Sequence, residues 1–478
     1  MRRGQADLQE ITGQVSKVVC DGYPVTEDKQ VPQSKKSRKT RAPQRNEVSS
    51  LLPLPRACLD PDALRDHTGS AFFYHFRTCT LPDLALPPYS TCFWDRHILP
   101  LGNAVPAVRC AATALGVAHR AFLLDASDPS ASEEREQLES IAVQQYNKAI
   151  GHLLPNAASS GVMDVRTIVT CSLLFYCLEN MRGRPDESIQ HLRSGARLIT
   201  SRPPHLVAET GQTDAGAESS IEEIARLFAR IGVQASLYKE DEVVPDLRAY
   251  IRPTEREPHD SSQPFGDFVV ARDTLYDLDI DLATYHNRAF VLAQAYKKNL
   301  QQRASEPPIY VDGLDPTASV PEIYAIYGPS YADGLDIGPV ISRFRIWRRR
   351  FDKTVQQAEK RGPTKRERHE IAMLELRRRV WETNLDEIPS GSPEQADRIL
   401  DQAEFVLRLF SSKHPIFTLE SHISPSVSFI CFYSNEERHR RRALDILRSA
   451  RMREAVWDSG SLVRIIEPQF CDTERGVL

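Results

Sequence analysis

Residues 168–199 constrain the fold more than any other stretch of this chain. The run Thr167-Ile-Val-Thr-Cys-Ser-Leu-Leu-Phe-Tyr-Cys-Leu178 is apolar on nearly every face. A helix without a polar face has to be covered on all sides. This one is too short, and too interrupted by Thr and Ser, to span a bilayer. Arg182-Gly-Arg-Pro185 then reads as a turn and Asp186 as the cap of a following helix. That second helix places Ile189, Leu192, Ala196 and Ile199 at steps of three and four, an inward stripe. Such a hairpin cannot stand alone, so the rest of the chain must build helical layers around it.

The remaining pattern supplies them. Pro106 suits a helix start, and Ala107–Leu124 is a small-residue helix able to pack closely. Ser130 and Glu133 form a capping box for a helix with Leu138, Ile141, Ala142, Gln145, Ala149 and Leu153 inward. Further helices are predicted at Ile221–Leu237 and from Asp267 to about Gln302. Val340, Phe344, Trp347 and Phe351 make one stripe, and Ile371, Leu374, Trp381 and Leu385 another. Ser392-Pro-Glu-Gln395 opens the next helix, and a final helix is predicted from about Glu436 to Ala450. Leu81–Pro88 reads as turn-rich, and Pro307–Pro339 as the longest irregular stretch. No alternating strand pattern of useful length and no βαβ rhythm is visible. The fold class is therefore all-α, a large helical bundle or an irregular solenoid-like array of helix pairs. Its limits are read as 57–470, preceded by a disordered basic arm over 1–56.

Charge separates the arm from the body. The 478 residues carry a net charge of −4, which excludes a wholly basic nucleic-acid binder but leaves room for a local basic segment. Residues 1–56 hold eleven Lys and Arg against six Asp and Glu, concentrated at Lys35, Lys36, Arg38, Lys39, Arg41 and Arg45. Such a cluster reads as a nuclear import signal or a phosphate-contacting arm, or else as a solubilising tail. Of nine cysteines, Cys110, Cys171 and Cys177 sit on apolar helical stretches, which suits buried, reduced thiols of an intracellular protein. No apolar signal core and no run of about eighteen apolar residues occurs, so a soluble protein without a membrane partner is expected.

No catalytic constellation emerges, and an enzyme is not expected. Phosphate-loop, dinucleotide and nucleophile-elbow motifs are absent. His369-Glu370 begins like a zinc-protease helix, but Met373 stands where the second histidine is needed. Asp277, Asp279 and Asp281 alternate like a calcium loop without its glycine, and read as a solvated helix face. His152 and His191 read as structural. Arg438, Arg440, Arg441 and Arg442 read as a structural face, and Arg348–Arg350 with Arg377–Arg379 as helix surface or internal ion pairs.

Several separated motifs then fall in a familiar order. They are Cys20-Asp-Gly-Tyr23, Phe72–Arg77, Phe93-Trp94, Pro106–Gly116, Tyr146–Ile150, Leu173–Glu179, His191–Gly195, Arg440–Ser449 and Glu454–Asp458. Over about residues 60–470 the chain resembles the helical regulatory domain of fungal zinc binuclear cluster transcription regulators. It is most like the subgroup of secondary-metabolite cluster-specific regulators. The resemblance implies a nuclear protein acting at RNA polymerase II promoters, whose helical domain senses or transmits a signal. It further implies an N-terminal cluster of six thiolates and two zinc ions, which would place a short helix in the DNA major groove. Here no cysteine precedes Cys20, and Ile11, Thr12 and Gly13 stand where the preceding ligand is expected. Cys20 alone holds no structural zinc. The expectation is a regulator whose zinc cluster is truncated, with weakened DNA binding and with protein partners or a homodimer. The alternative is a helical interaction protein that modulates a complete relative without binding DNA itself.

Overall fold

The computed structural model describes residues 67–84, 93–124, 131–154, 164–201, 215–238, 263–303, 336–383, 392–410, 415–434 and 436–474. Helix α1 (His67–His75) runs through a π-helical turn (Phe76–Thr80) into α2 (Leu81–Leu84), where the sequence reads as turn-rich. A second π-helical turn (Trp94–Ile98) enters α3 (Leu99–Ala104). Helix α4 (Pro106–Leu123) carries Pro106 in its first turn, where a missing N–H costs nothing, and α5 (Ala131–Leu153) packs along it. Ser130 and Leu385, each assigned a role from the sequence, lie outside the described residues, as do most of Pro307–Pro339 and the 56/57 boundary.

The hairpin forms as its composition dictates. Helix α6 (Val165–Met181) is buried at every position from Val169 to Met181. Asp164 caps it by accepting from the Arg166 N–H at 3.2 Å. Gly183 takes the left-handed conformation (φ 74°) that lets the chain reverse. Helix α7 (Pro185–Thr200) starts two residues earlier than expected, with Arg184 rather than Asp186 at the cap position. The fixed φ of Pro185 makes it the natural first residue, which moves Asp186 into the first turn beside the positive helix end. Ile189, Leu192, Ala196 and Ile199 are buried as predicted.

Two glycines explain why these helices approach so closely. A Cβ at Gly116 on α4 would lie 2.4 Å from the Phe72 carbonyl oxygen on α1, and one at Gly195 on α7 would lie 2.4 Å from the ring of Phe228. The Phe228 ring can shift, whereas the Phe72 carbonyl belongs to helix backbone. Gly116→Ala is therefore expected to lower the unfolding free energy by about 2–3 kcal/mol, as overpacking does, read from urea-denaturation midpoints.

Helices α8 (Ala215–Tyr238), α9 (Phe268–Arg303), α10 (Gly338–Arg361), α11 (Lys365–Glu382) and α12 (Pro393–Phe410) continue the array. Asp277, Asp279 and Asp281 on α9 do not form the solvated face expected of them. Arg343 of α10 bonds Asp277 at 2.6 Å and also pairs with Asp281. Asp279 pairs with Arg377 of α11 and accepts from the Trp381 indole N–H at 2.7 Å. These cations lie 60 or more positions away in sequence, which is why the acidic alternation by itself looked solvated. The arginine clusters likewise brace helices: Arg378 holds Asp352 and Glu375, each at 2.6 Å. Arg442 holds Glu404 at 2.9 Å and Asp401 at 2.6 Å.

The C-terminal region holds the helix predicted from about Glu436 to Ala450 together with elements that have no sequence signal. After strand β1 (Ile416–Thr418) come α13 (Ile423–Tyr433), α14 (Glu437–Ala450), β2 (Met452–Glu454), β3 (Trp457–Asp458) and α15 (Ser459–Glu474). β1 pairs parallel with β2, and β2 antiparallel with β3. Strands of two and three residues are too short to show alternation, so the helix-only expectation missed them. The sheet is a seam between two cores. Ile416 and Met452 pack with α11–α15, whereas the next residue along β1, Phe417, packs with the N-terminal helices.

Candidate functional site

The basic residues Lys35, Lys36, Arg38, Lys39, Arg41 and Arg45, and Cys20, lie outside the described residues. His191 is the satisfied core histidine expected: its Nε2 lies 3.2 Å from the Tyr146 hydroxyl, and burial lowers its pKa to about 4. Cys171 and Cys177 are buried free thiols pushed well above the ordinary range by burial, and Cys431 is pushed up to about 12. His369 bonds the Lys365 carbonyl at 2.9 Å, an internal contact of its helix. Among the described residues no group of three or more His, Cys, Asp or Glu is placed to hold a metal ion. These residues do not fit a two-zinc cluster.

A binding geometry occurs instead at the turn of the α6/α7 hairpin. A cleft of about 790 Å³ opens there, between α4, α5 and the turn on one side and the segment from Leu447 to Gly460 on the other. Two arginines fix its walls. Arg182, 3% exposed, reaches both Glu179 carboxylate oxygens at 3.0 and 3.2 Å and donates from Nε to Glu139 at 2.7 Å. Arg453 on β2 donates to the Asn180 and Met181 carbonyls at 3.0 and 2.6 Å, satisfying acceptors that the end of α6 leaves open. Its Nε also holds Asp458 at 2.8 Å, and its guanidinium lies 5.4 Å from the Phe122 ring centre. Burial alone would raise the Asp458 carboxyl, but Arg453 and Ser461 hold it below the usual carboxylate range.

Of the other arginines in the lining, Arg448 bonds Asp445 at 2.8 Å. Arg184 reaches Glu139 at 4.0 Å. Arg451 is exposed and its guanidinium has no partner among the described residues. Its backbone is left-handed (φ 46°, ψ 44°), as is that of Ala455 (φ 51°), so the two bracket β2. Six arginines line the cleft against three carboxylates, Glu136, Glu139 and Asp458. Ala118, Phe122, Leu124, Met181, Leu447 and Met452 supply its apolar surface. Chemically this arrangement can hold an anion beside an apolar body. Ser459, the hydroxyl in the lining, is occupied by the Met452 N–H at 3.1 Å.

Residues 71–280 match the sequence profile of the fungal specific transcription factor domain. The match covers somewhat less than half of the chain. It runs from α1 into α9 and contains the whole hairpin, so the matched stretch forms one wall of the cleft while residues 415–460 form the other. A stretch of 115 residues is 34% identical to the aspercryptin biosynthesis cluster-specific transcription regulator atnN of Emericella nidulans. That alignment spans 23% of this chain and 18% of the relative. No solved structure matches the chain. No single described helix is long and apolar enough to cross a membrane.

From the sequence, Arg182-Gly-Arg-Pro185 is legible only as a turn and Glu454–Asp458 only as a resemblance. The available signal was the density of arginine, with Arg182 and Arg184 in one tight turn and Arg448, Arg451 and Arg453 within six residues.

Proposed function

We propose that the chain is a fungal transcription regulator acting in the nucleus at RNA polymerase II promoters, with a secondary-metabolite gene cluster as its target. The observation that carries this reading is the match to the transcription factor domain at 71–280, supported by similarity to a regulator described as cluster-specific. In this reading the helical body works through protein partners or a second copy. Lys35, Lys36, Arg38, Lys39, Arg41 and Arg45 direct nuclear import or contact phosphates. Within these 478 residues Cys20 alone matches the zinc cluster, so DNA binding by these residues is weakened. Catalysis has no part in it. The comparisons do not favour the alternative of a helical interaction protein that modulates a complete relative without binding DNA itself.

The test is chromatin immunoprecipitation of the tagged chain in its fungal host, together with transcript profiles after deletion. Expected are a nuclear protein, occupancy at a small set of promoters, and changed transcription of a contiguous gene cluster. Replacing the six basic residues with Gln is expected to lower the nuclear fraction severalfold. A protein excluded from the nucleus, with unaltered transcripts on deletion, overturns the reading.

A further inference from the structure

We propose that the cleft at the α6/α7 turn is a binding site for an apolar organic anion with a single carboxylate, with Arg451 as the residue that receives the carboxylate. The inference stands apart from the transcriptional reading, because it rests on the cleft alone.

Size comes first. A cleft of about 790 Å³ falls within the range that encloses a small organic molecule. Charge comes second. Arg182 and Arg453 spend their donors on Glu139, Glu179, Asp458 and the end of α6, so they shape the walls. Arg451 does not. It occupies the position after α14 where the backbone turns left-handed, a place that glycine or asparagine takes cheaply and that other residues occupy under strain. An arginine here strains the backbone and forms no side-chain hydrogen bond or ion pair with the described residues in return. What it contributes is a guanidinium at the cleft, whose fork matches a carboxylate.

The lining narrows the ligand further. Glu136, Glu139 and Asp458 in the same lining would repel a polyanion such as nucleic acid, whereas one anionic group next to Arg451 meets a local positive surplus. Phe122 and Leu124, both half-buried, would stay wet beneath an inorganic ion, but a hydrocarbon body covers them. A molecule so placed touches both walls, one inside the matched stretch and one beyond it.

The experiment titrates the purified full chain calorimetrically with 2-naphthoate, and with neutral 2-naphthamide as the control of equal shape. Saturable one-site binding of the carboxylate, at least tenfold tighter than the amide, is expected. Arg451→Gly and Arg451→Asn should each weaken 2-naphthoate at least tenfold while leaving the melting temperature unchanged or higher, since both residues accept the left-handed backbone. Failure to saturate at millimolar 2-naphthoate, equal binding of the amide, or unchanged affinity in both variants overturns the proposal. Transcript changes on gene deletion, present or absent, leave this result untouched.

Discussion

Replacing Glu454 with alanine is expected to lower the unfolding free energy by about 3–5 kcal/mol, since each buried N–H left unpaired costs about 1–3 kcal/mol. Glu454 sits on β2 at 1% exposure and reaches out of its own strand to the first turn of α13. Its Oε1 accepts from the His422 and Ile423 N–H groups at 2.8 and 3.0 Å, and its Oε2 from Ser424 at 2.6 Å. The residue that should cap α13 from within, His422, makes no side-chain cap bond. A carboxylate thirty residues away therefore does the work of a local cap, with its charge at the positive end of the helix. An ordinary cap lost to alanine costs about 1 kcal/mol; here three donors lose their acceptor together, inside the protein. Glu454→Gln should fall between the two, because its amide keeps one acceptor oxygen. Chemical denaturation reads the ordering directly, and a loss below about 1 kcal/mol for Glu454→Ala would mean that water takes over the three N–H groups.

The same strand explains why the cleft and the C-terminal core stand or fall together. Arg451 and Ala455 bracket β2 in left-handed conformations, Arg453 ties it to α6, and Glu454 ties it to α13. Three consecutive residues thus face three different neighbours: Met452 the C-terminal core, Arg453 the hairpin, Glu454 the helix start.

That junction marks where sequence reading ended. The hairpin was legible because a helix apolar on all faces admits one environment, and the stripes of α7 and α10 because period and burial coincide. Pairing across long separations left no local trace. Asp279 looked solvated because Arg377 and Trp381 lie about a hundred positions on. β1 and β2 looked featureless because three residues cannot display a period of two. The candidate site was hidden for a further reason. Its arginines come from a turn and from a strained helix end, places where composition marks an interruption of the pattern rather than a function. The residues singled out from the sequence, Lys35 to Arg45, are a different feature, and their role is tested by the nuclear-import experiment alone.

Arg230→Met is expected to cost about 3–5 kcal/mol at neutral pH, the loss usual when one partner of a buried ion pair is removed. Glu420, 2% exposed between β1 and α13, accepts from Arg230 Nε of α8 at 3.1 Å and from the Tyr276 hydroxyl of α9 at 3.2 Å. Gln234, one turn along from Arg230, completes the joint by accepting from the Ser421 N–H at 3.0 Å. Burial alone would raise the Glu420 carboxyl, but Arg230 above all, with His422 and Arg272, holds it well below the usual range. A folded-state value below the unfolded one means the pair stabilises above about pH 4.3 and loses that stabilisation as pH falls towards the folded value. Without Arg230, desolvation dominates and the folded value rises above the unfolded one. The dependence then reverses: the contribution of Glu420 in Arg230→Met is least unfavourable at low pH and worsens as pH rises through the raised value. The cost of the variant relative to wild type should accordingly shrink between pH 7 and pH 4.5. Adding Glu420→Gln removes the orphaned charge, so the double variant should recover most of the loss at pH 7 and show a flat difference from wild type. Equal stability of the single and double variants at pH 7 would mean that Arg230 is not what keeps the buried carboxylate charged. The joint between α8 and the C-terminal sheet would then rest on Gln234 and apolar packing.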